Sequence, residues 1–123
     1  MRVLRVNIPN NSYDIKIEKG LRKSFAKEIT EIYSGDKIFI ITDLNVYKLY
    51  GEDFDKSLRA EGIEPFFTVV EPGEKSKSME ILIKVYDDLL SNEINRGHMI
   101  VALGGGVVGD LTGFVAATLL RGI

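Results

Sequence analysis

The sequence predicts an α/β domain: a Rossmann-like, mostly parallel sheet with helices on both faces, preceded by an N-terminal β-hairpin. Three observations carry this. From residue 21 onward, stretches of helical period alternate with short apolar runs, the pattern of a parallel sheet with crossover helices. Ile38–Ile41 is continuously apolar, as a strand buried on both faces requires. Residues 3–17 show two short strand-like runs around the turn Pro9-Asn10-Asn11-Ser12, which reads as a hairpin.

Taken in order, Val3, Leu4, Val6 and Ile8 mark the first strand. Tyr13, Ile15 and Ile17 alternate with Asp14, Lys16 and Glu18, predicting a half-buried antiparallel partner. Leu21, Phe25, Ile29 and Ile32 recur at helical spacing before Gly35. After the buried strand, a helix is expected from about Val46 to Ala60, ending at Gly62. Pro65–Val70 reads as the next strand. Met79, Leu82, Ile83, Tyr86 and Leu90 form one face of the helix after it. His98–Leu103 is the last strand and Val107–Leu120 the last helix.

Composition narrows the function. The chain has 123 residues, 45% hydrophobic and 28% charged, which suits one small globular domain, so residues 1–123 are read as one unit. With 16 basic and 18 acidic residues, no dedicated nucleic-acid or polybasic membrane surface is expected. No cysteine is present, so disulfides and thiolate metal sites are excluded. The N-terminus lacks a signal-peptide pattern, and the apolar stretch Leu111–Leu120 is too short to span a bilayer. A cytoplasmic location is the expectation.

Ligands of open α/β sheets collect at the carboxyl ends of the strands. Three segments fall there: Thr42–Asn45, Glu71–Lys77 and Gly104–Gly106. In the last, Gly104, Gly106 and Gly109 fit G-x-G-x-x-G between a strand and a helix. Such a turn lets a phosphate approach the main chain, and the helix start supplies free N–H groups and a positive dipole end. A tight packing turn is the plainer reading. Asp43 and Asn45 can accept sugar hydroxyls or cap a helix. Glu74 can bind a hydroxyl, and Lys75 and Lys77 can neutralise phosphate, unless the loop is merely solvated. Asp110 falls in the expected first turn of the last helix, where an acid suits the dipole. Arg121 stands at that helix's far end, as a dipole partner or as a fork for phosphate or carboxylate. His98, the single histidine, reads as structural, and no catalytic triad or three-ligand metal set is visible.

The stretch from Leu103 to Ile123, LGGGVVGDLTGFVAATLLRGI, closely resembles the glycine motif of the 3-dehydroquinate synthases. Thr42–Val46 and Pro72–Lys77 resemble that family's two other nucleotide-site segments, in the same order. The resemblance covers the whole chain but only the family's N-terminal part. It implies an NAD- and divalent-metal-dependent (zinc or cobalt) enzyme of the shikimate pathway, a homodimer converting 3-deoxy-arabino-heptulosonate 7-phosphate to 3-dehydroquinate and phosphate. By position it implies that Asp43 and Asn45 contact the adenosine side of NAD, and that Glu74, Lys75, Ser76 and Lys77 line the dinucleotide site. Gly105, Gly106 and Val107 would approach the pyrophosphate, Asp110 the nicotinamide side, and Arg121 the substrate. The family's metal ligands, a glutamate and two histidines, belong to a C-terminal helical domain absent from these residues. The expectation is therefore an NAD-binding fragment without cyclase activity of its own. A 2-deoxy-scyllo-inosose synthase-like cyclase, an alcohol or glycerol dehydrogenase relative and a noncatalytic nucleotide-binding module are the alternatives.

Overall fold

In the computed structural model, which describes residues 1–123, the chain forms five strands and four helices. A hairpin of β1 (Arg2–Val6) and β2 (Tyr13–Ile17) comes first. A 3-10 turn, Leu21–Ser24, leads into α1 (Phe25–Ile32). Then follow β3 (Lys37–Asp43), α2 (Leu44–Ala60), β4 (Glu64–Val70), a 3-10 turn at Glu74–Ser76, α3 (Met79–Ser91), β5 (Met99–Leu103) and α4 (Gly106–Thr118). A final 3-10 turn spans Leu119–Arg121.

The main sheet is parallel, ordered β4-β3-β5. Its central strand needs no polar face because helices cover both sides. Ile38, Phe39, Ile40, Ile41 and Thr42 are all fully buried. Strand alternation sends Ile38 and Ile40 toward Ala26 and Ile29 of α1 and Leu58 of α2. Phe39 and Ile41 face the other way, onto Leu82, Val85 and Leu89 of α3 and Leu111 and Val115 of α4. The expected three-layer α/β fold is therefore present, with the hairpin as a separate two-stranded sheet.

Local chemistry sets the helix ends. Asp43 caps α2 by accepting the Val46 N–H at 2.9 Å, and Ser78 caps α3 by accepting that of Ile81. At the end of α2, Gly62 adopts φ +78°, and the Ile63 N–H reaches back to the Leu58 carbonyl at 2.9 Å. That is a Schellman closure, with Ile63 packed in the same cluster as Leu58. The end of α3 closes likewise, from the Ile94 N–H to the Leu89 carbonyl, with Glu93 in the left-handed region.

Four expectations need correction. Tyr13, Ile15 and Ile17 are not half-buried: they are 52%, 43% and 54% exposed, because nothing in the chain packs on that side of the hairpin. The covered face of α3 is Leu82, Val85 and Leu89, whereas Met79, Ile83 and Leu90 are exposed. Two apolar stripes overlap on that helix, and packing against β4 and α4 selects the first. Asp110 stands in the second turn of α4, since the helix begins at Gly106. Arg121 lies beyond the end of α4, after a break where Leu120 has φ +50° and Arg121 itself φ +67°. It is therefore not a last-turn dipole partner. No helix is long and apolar enough to cross a membrane.

Candidate functional site

The chain passes from β3 to β4 by way of α2 on one face, and from β4 to β5 by way of α3 on the other. β3 leads into α2 on one face and its neighbour β5 into α4 on the other, so the chain diverges at these two carboxyl ends, where open α/β sheets place a ligand crevice. Asp43 flanks it on one side and Gly104–Gly106 on the other. The Thr42 hydroxyl locks the two strand ends together by donating to the Leu103 carbonyl at 2.6 Å.

The three glycines do different work. Gly104 has φ +154°, and a Cβ there would lie 3.0 Å from a Val108 methyl. This position is therefore glycine for conformation and packing. Gly105, in ordinary extended backbone, is the residue before α4, and Gly106 is its first residue. Both are exposed, and a Cβ on either would meet nothing within 4 Å. The space above them, at a helix start with no side-chain cap, is open to a ligand.

The β4 loop closes the site's far side. Gly73, with φ +99°, turns the chain into the 3-10 turn at Glu74–Ser76. Ser76 is buried, and its hydroxyl donates to the Glu71 carbonyl, so it holds the loop's shape. Lys77 reaches α4 and pairs with Asp110 at 2.8 Å, with Glu74 at 3.5 Å. The hydrogen bond to Asp110 is the main cause that raises the Lys77 ammonium pKa above the ordinary lysine value. Asp110 is thus the partner of Lys77 rather than a dipole acid. Sequence reading missed this contact because it joins positions far apart in the chain. Glu74, Lys75, Lys77 and Asn45 are exposed at the site's rim, Val107 is half-buried, and Arg121 is exposed beyond α4.

Asp43 is committed to its cap but only half-buried, which leaves its second carboxylate oxygen for a ligand hydroxyl. Asp43→Ala is expected to lower stability by about 1 kcal/mol through loss of the cap, read by urea denaturation. Asp43→Asn should retain most of that stability, since Asn also caps well. His98 accepts the Asn95 N–H at 3.0 Å and packs on Phe39, a structural role. No three His, Cys, Asp or Glu side chains converge here on a point that could hold a metal ion.

This arrangement, a parallel sheet with a glycine turn and polar loop at its carboxyl edge, is that of an open α/β fold with a candidate ligand site at its strand ends. A family profile described as 3-dehydroquinate synthase N-terminal matches residues 67–123. The 3-dehydroquinate synthase of Clostridium acetobutylicum is 48% identical over 123 residues, covering all of this chain and 35% of that protein. That of Clostridium perfringens strain SM101 is 51% identical with the same coverage. Over its whole length the chain is similar to the N-terminal part of these 3-dehydroquinate synthases. It spans about a third of the length of these curated relatives. A solved 2-deoxy-scyllo-inosose synthase, complexed with carbaglucose-6-phosphate, NAD+ and Co2+, superposes with a TM-score of 0.83 at 19% identity. It covers 99% of this chain and 33% of that one, and shows the shared fold. A 2-epi-5-epi-valiolone synthase from Streptomyces hygroscopicus with NAD+ and Zn2+ bound gives 0.65 at 30% identity, over 70% of this chain and 24% of that one.

Proposed function

We propose that residues 1–123 are the NAD-binding domain of a cytoplasmic, homodimeric 3-dehydroquinate synthase. The intact parent would convert 3-deoxy-arabino-heptulosonate 7-phosphate to 3-dehydroquinate and phosphate in the shikimate pathway. The observation that carries this reading is the open main chain of Gly105 and Gly106, at the start of α4, in the β3–β5 crevice. A cyclase of this kind needs a bound NAD that takes up and returns one hydride. The proposed role of this domain is to hold that dinucleotide still.

The residues fit the task. The N–H groups at the start of α4 have no side-chain cap and favour the pyrophosphate. Asp43 and Asn45 flank the crevice where the adenosine hydroxyls would lie. Glu74 and Lys75 stand on the loop opposite, and buried Ser76 keeps that loop in place. Lys77 is held beside the site by its pairing with Asp110. Val107 supports the turn from the first turn of α4. Arg121, exposed beyond α4, is assigned to the substrate's phosphate or carboxylate. The ligands for a zinc or cobalt ion are assigned to the parent's remaining two thirds, because these residues do not form a metal set.

A scyllo-inosose-type cyclase shares this fold, but the matches to 3-dehydroquinate synthases at 48% and 51% identity, over all of this chain and 35% of those proteins, favour the first reading. Two measurements test it. Calorimetry should show NAD binding to the chain. Phosphate release from the heptulosonate phosphate should occur with the intact parent and be absent with purified residues 1–123. Turnover by the purified 123-residue chain would overturn the assignment of the catalytic groups to the rest of the parent.

A further inference from the structure

The apolar run of β3 ends on a polar residue that is no less buried. Ile38–Ile41 are followed by Thr42, whose exposure is 0%. A valine would have nearly the same shape there, and a buried hydroxyl costs stability unless it is bonded. The bond this hydroxyl makes is a long-range one. It donates to the Leu103 carbonyl at 2.6 Å, 61 residues further along the chain. Thr42 and Leu103 are also the last pair of the β3–β5 ladder, whereas the β3–β4 ladder runs one residue further, to Asp43 and Val70. The side chain thus adds one bond where the pairing of β3 with β5 stops.

That bond falls where the crevice is set. The Leu103 carbonyl belongs to the peptide that joins Leu103 to Gly104, and Gly104, at φ +154°, turns the chain toward α4. Fixing this peptide plane fixes the direction from which Gly105 and Gly106 follow. On the other side, the residue after Thr42 is Asp43, tied to α2 through its cap. One hydroxyl therefore fastens the two walls of the crevice to each other, Asp43 on β3 and the glycine turn on β5. We propose that Thr42 is a positioning residue for the dinucleotide, setting NAD affinity by holding the Leu103–Gly104 peptide and, through it, the main chain of Gly105 and Gly106. This rests on the reading of the crevice as an NAD site. Thr42 is fully buried, so it acts through that peptide rather than by touching the dinucleotide. The hydroxyl carries the role, and the methyl group only fills the core.

Two substitutions separate these parts. Thr42→Val keeps the shape and removes the donor, whereas Thr42→Ser keeps the donor and removes a methyl group. In the intact parent, calorimetry with NAD should show binding about tenfold weaker for Thr42→Val, because the Leu103 carbonyl loses its donor and the turn relaxes. Thr42→Ser should retain most of the affinity. Phosphate release should show the same split, with KM for NAD raised in Thr42→Val and kcat at saturating NAD retained. Urea denaturation supplies the contrast: both substitutions should lower the midpoint, so lost stability alone predicts weaker binding for both. Thr42→Ser against Thr42→Ala repeats the comparison with the methyl group absent from both, and decides the matter where Thr42→Val does not fold. Unchanged NAD affinity in Thr42→Val, or equal affinity in Thr42→Ser and Thr42→Ala, would overturn the role of Thr42 while leaving the NAD site standing. An equal loss in Thr42→Ser and Thr42→Val would assign the effect to packing and overturn it as well. A parent that binds no NAD would overturn both.

Discussion

Phe39→Ala is expected to cost about 3–5 kcal/mol of folding stability, the range for removing a buried aromatic ring. Phe39 is fully buried on the central strand. Its ring stacks on Phe66 at 5.2 Å and lies 5.3 Å from that of His98. It belongs to the larger core cluster, which α3 and α4 share. That face is locked between a strand and two helices, so the hole left by the ring closes poorly. A domain of this size is stable by roughly 5–15 kcal/mol, so the loss is about a fifth of the total or more. Urea denaturation followed by circular dichroism should show the midpoint falling by more than about 1 M. Ile32→Ala, at a site 72% exposed on α1, should change stability by less than about 0.5 kcal/mol. A comparable loss at both positions would mean that burial on β3 does not govern stability.

Substitutions in the glycine turn are expected to separate folding from binding. Gly104→Ala places a side chain at φ +154° against Val108 and should destabilise the domain by about 1–3 kcal/mol. Gly105→Val meets no atom of the chain and uses an extended backbone open to any residue. It should leave stability nearly unchanged while weakening NAD binding at least about tenfold, or 1.4 kcal/mol. The branched side chain would stand in the space where the pyrophosphate would approach the main chain. Calorimetry with NAD beside urea denaturation reads both effects. Unchanged NAD affinity in Gly105→Val would refute the close backbone contact.

These contrasts show what is legible in a linear chain. The continuous apolar run from Ile38 to Ile41 could only be a strand covered on both faces, and it is the best-buried segment. Asp43 advertises a helix start because its side chain accepts an N–H group only three residues ahead. The glycine turn is legible for the same local reason. The start of α4 was less so: the glycines do not announce that the helix already begins at Gly106, which moves Asp110 into the second turn.

Longer-range facts were out of reach. Which apolar stripe of α3 is covered depends on where β4 and α4 lie, so Val85 and Leu89 displace Met79 and Ile83. The pairing of Lys77 with Asp110 depends on bringing the β4 loop beside α4. The hairpin's alternation correctly announced an apolar face, but not that the chain itself supplies no cover for it.

The sequence by itself therefore determined the order and kind of the elements, the cap at Asp43 and the glycine turn, because each rests on interactions within a few residues. Only the tertiary structure decided which glycine is conformational and which leaves open space, what Lys77 holds, and which face of the hairpin remains free. Those depend on distances between segments far apart along the chain, which packing alone sets.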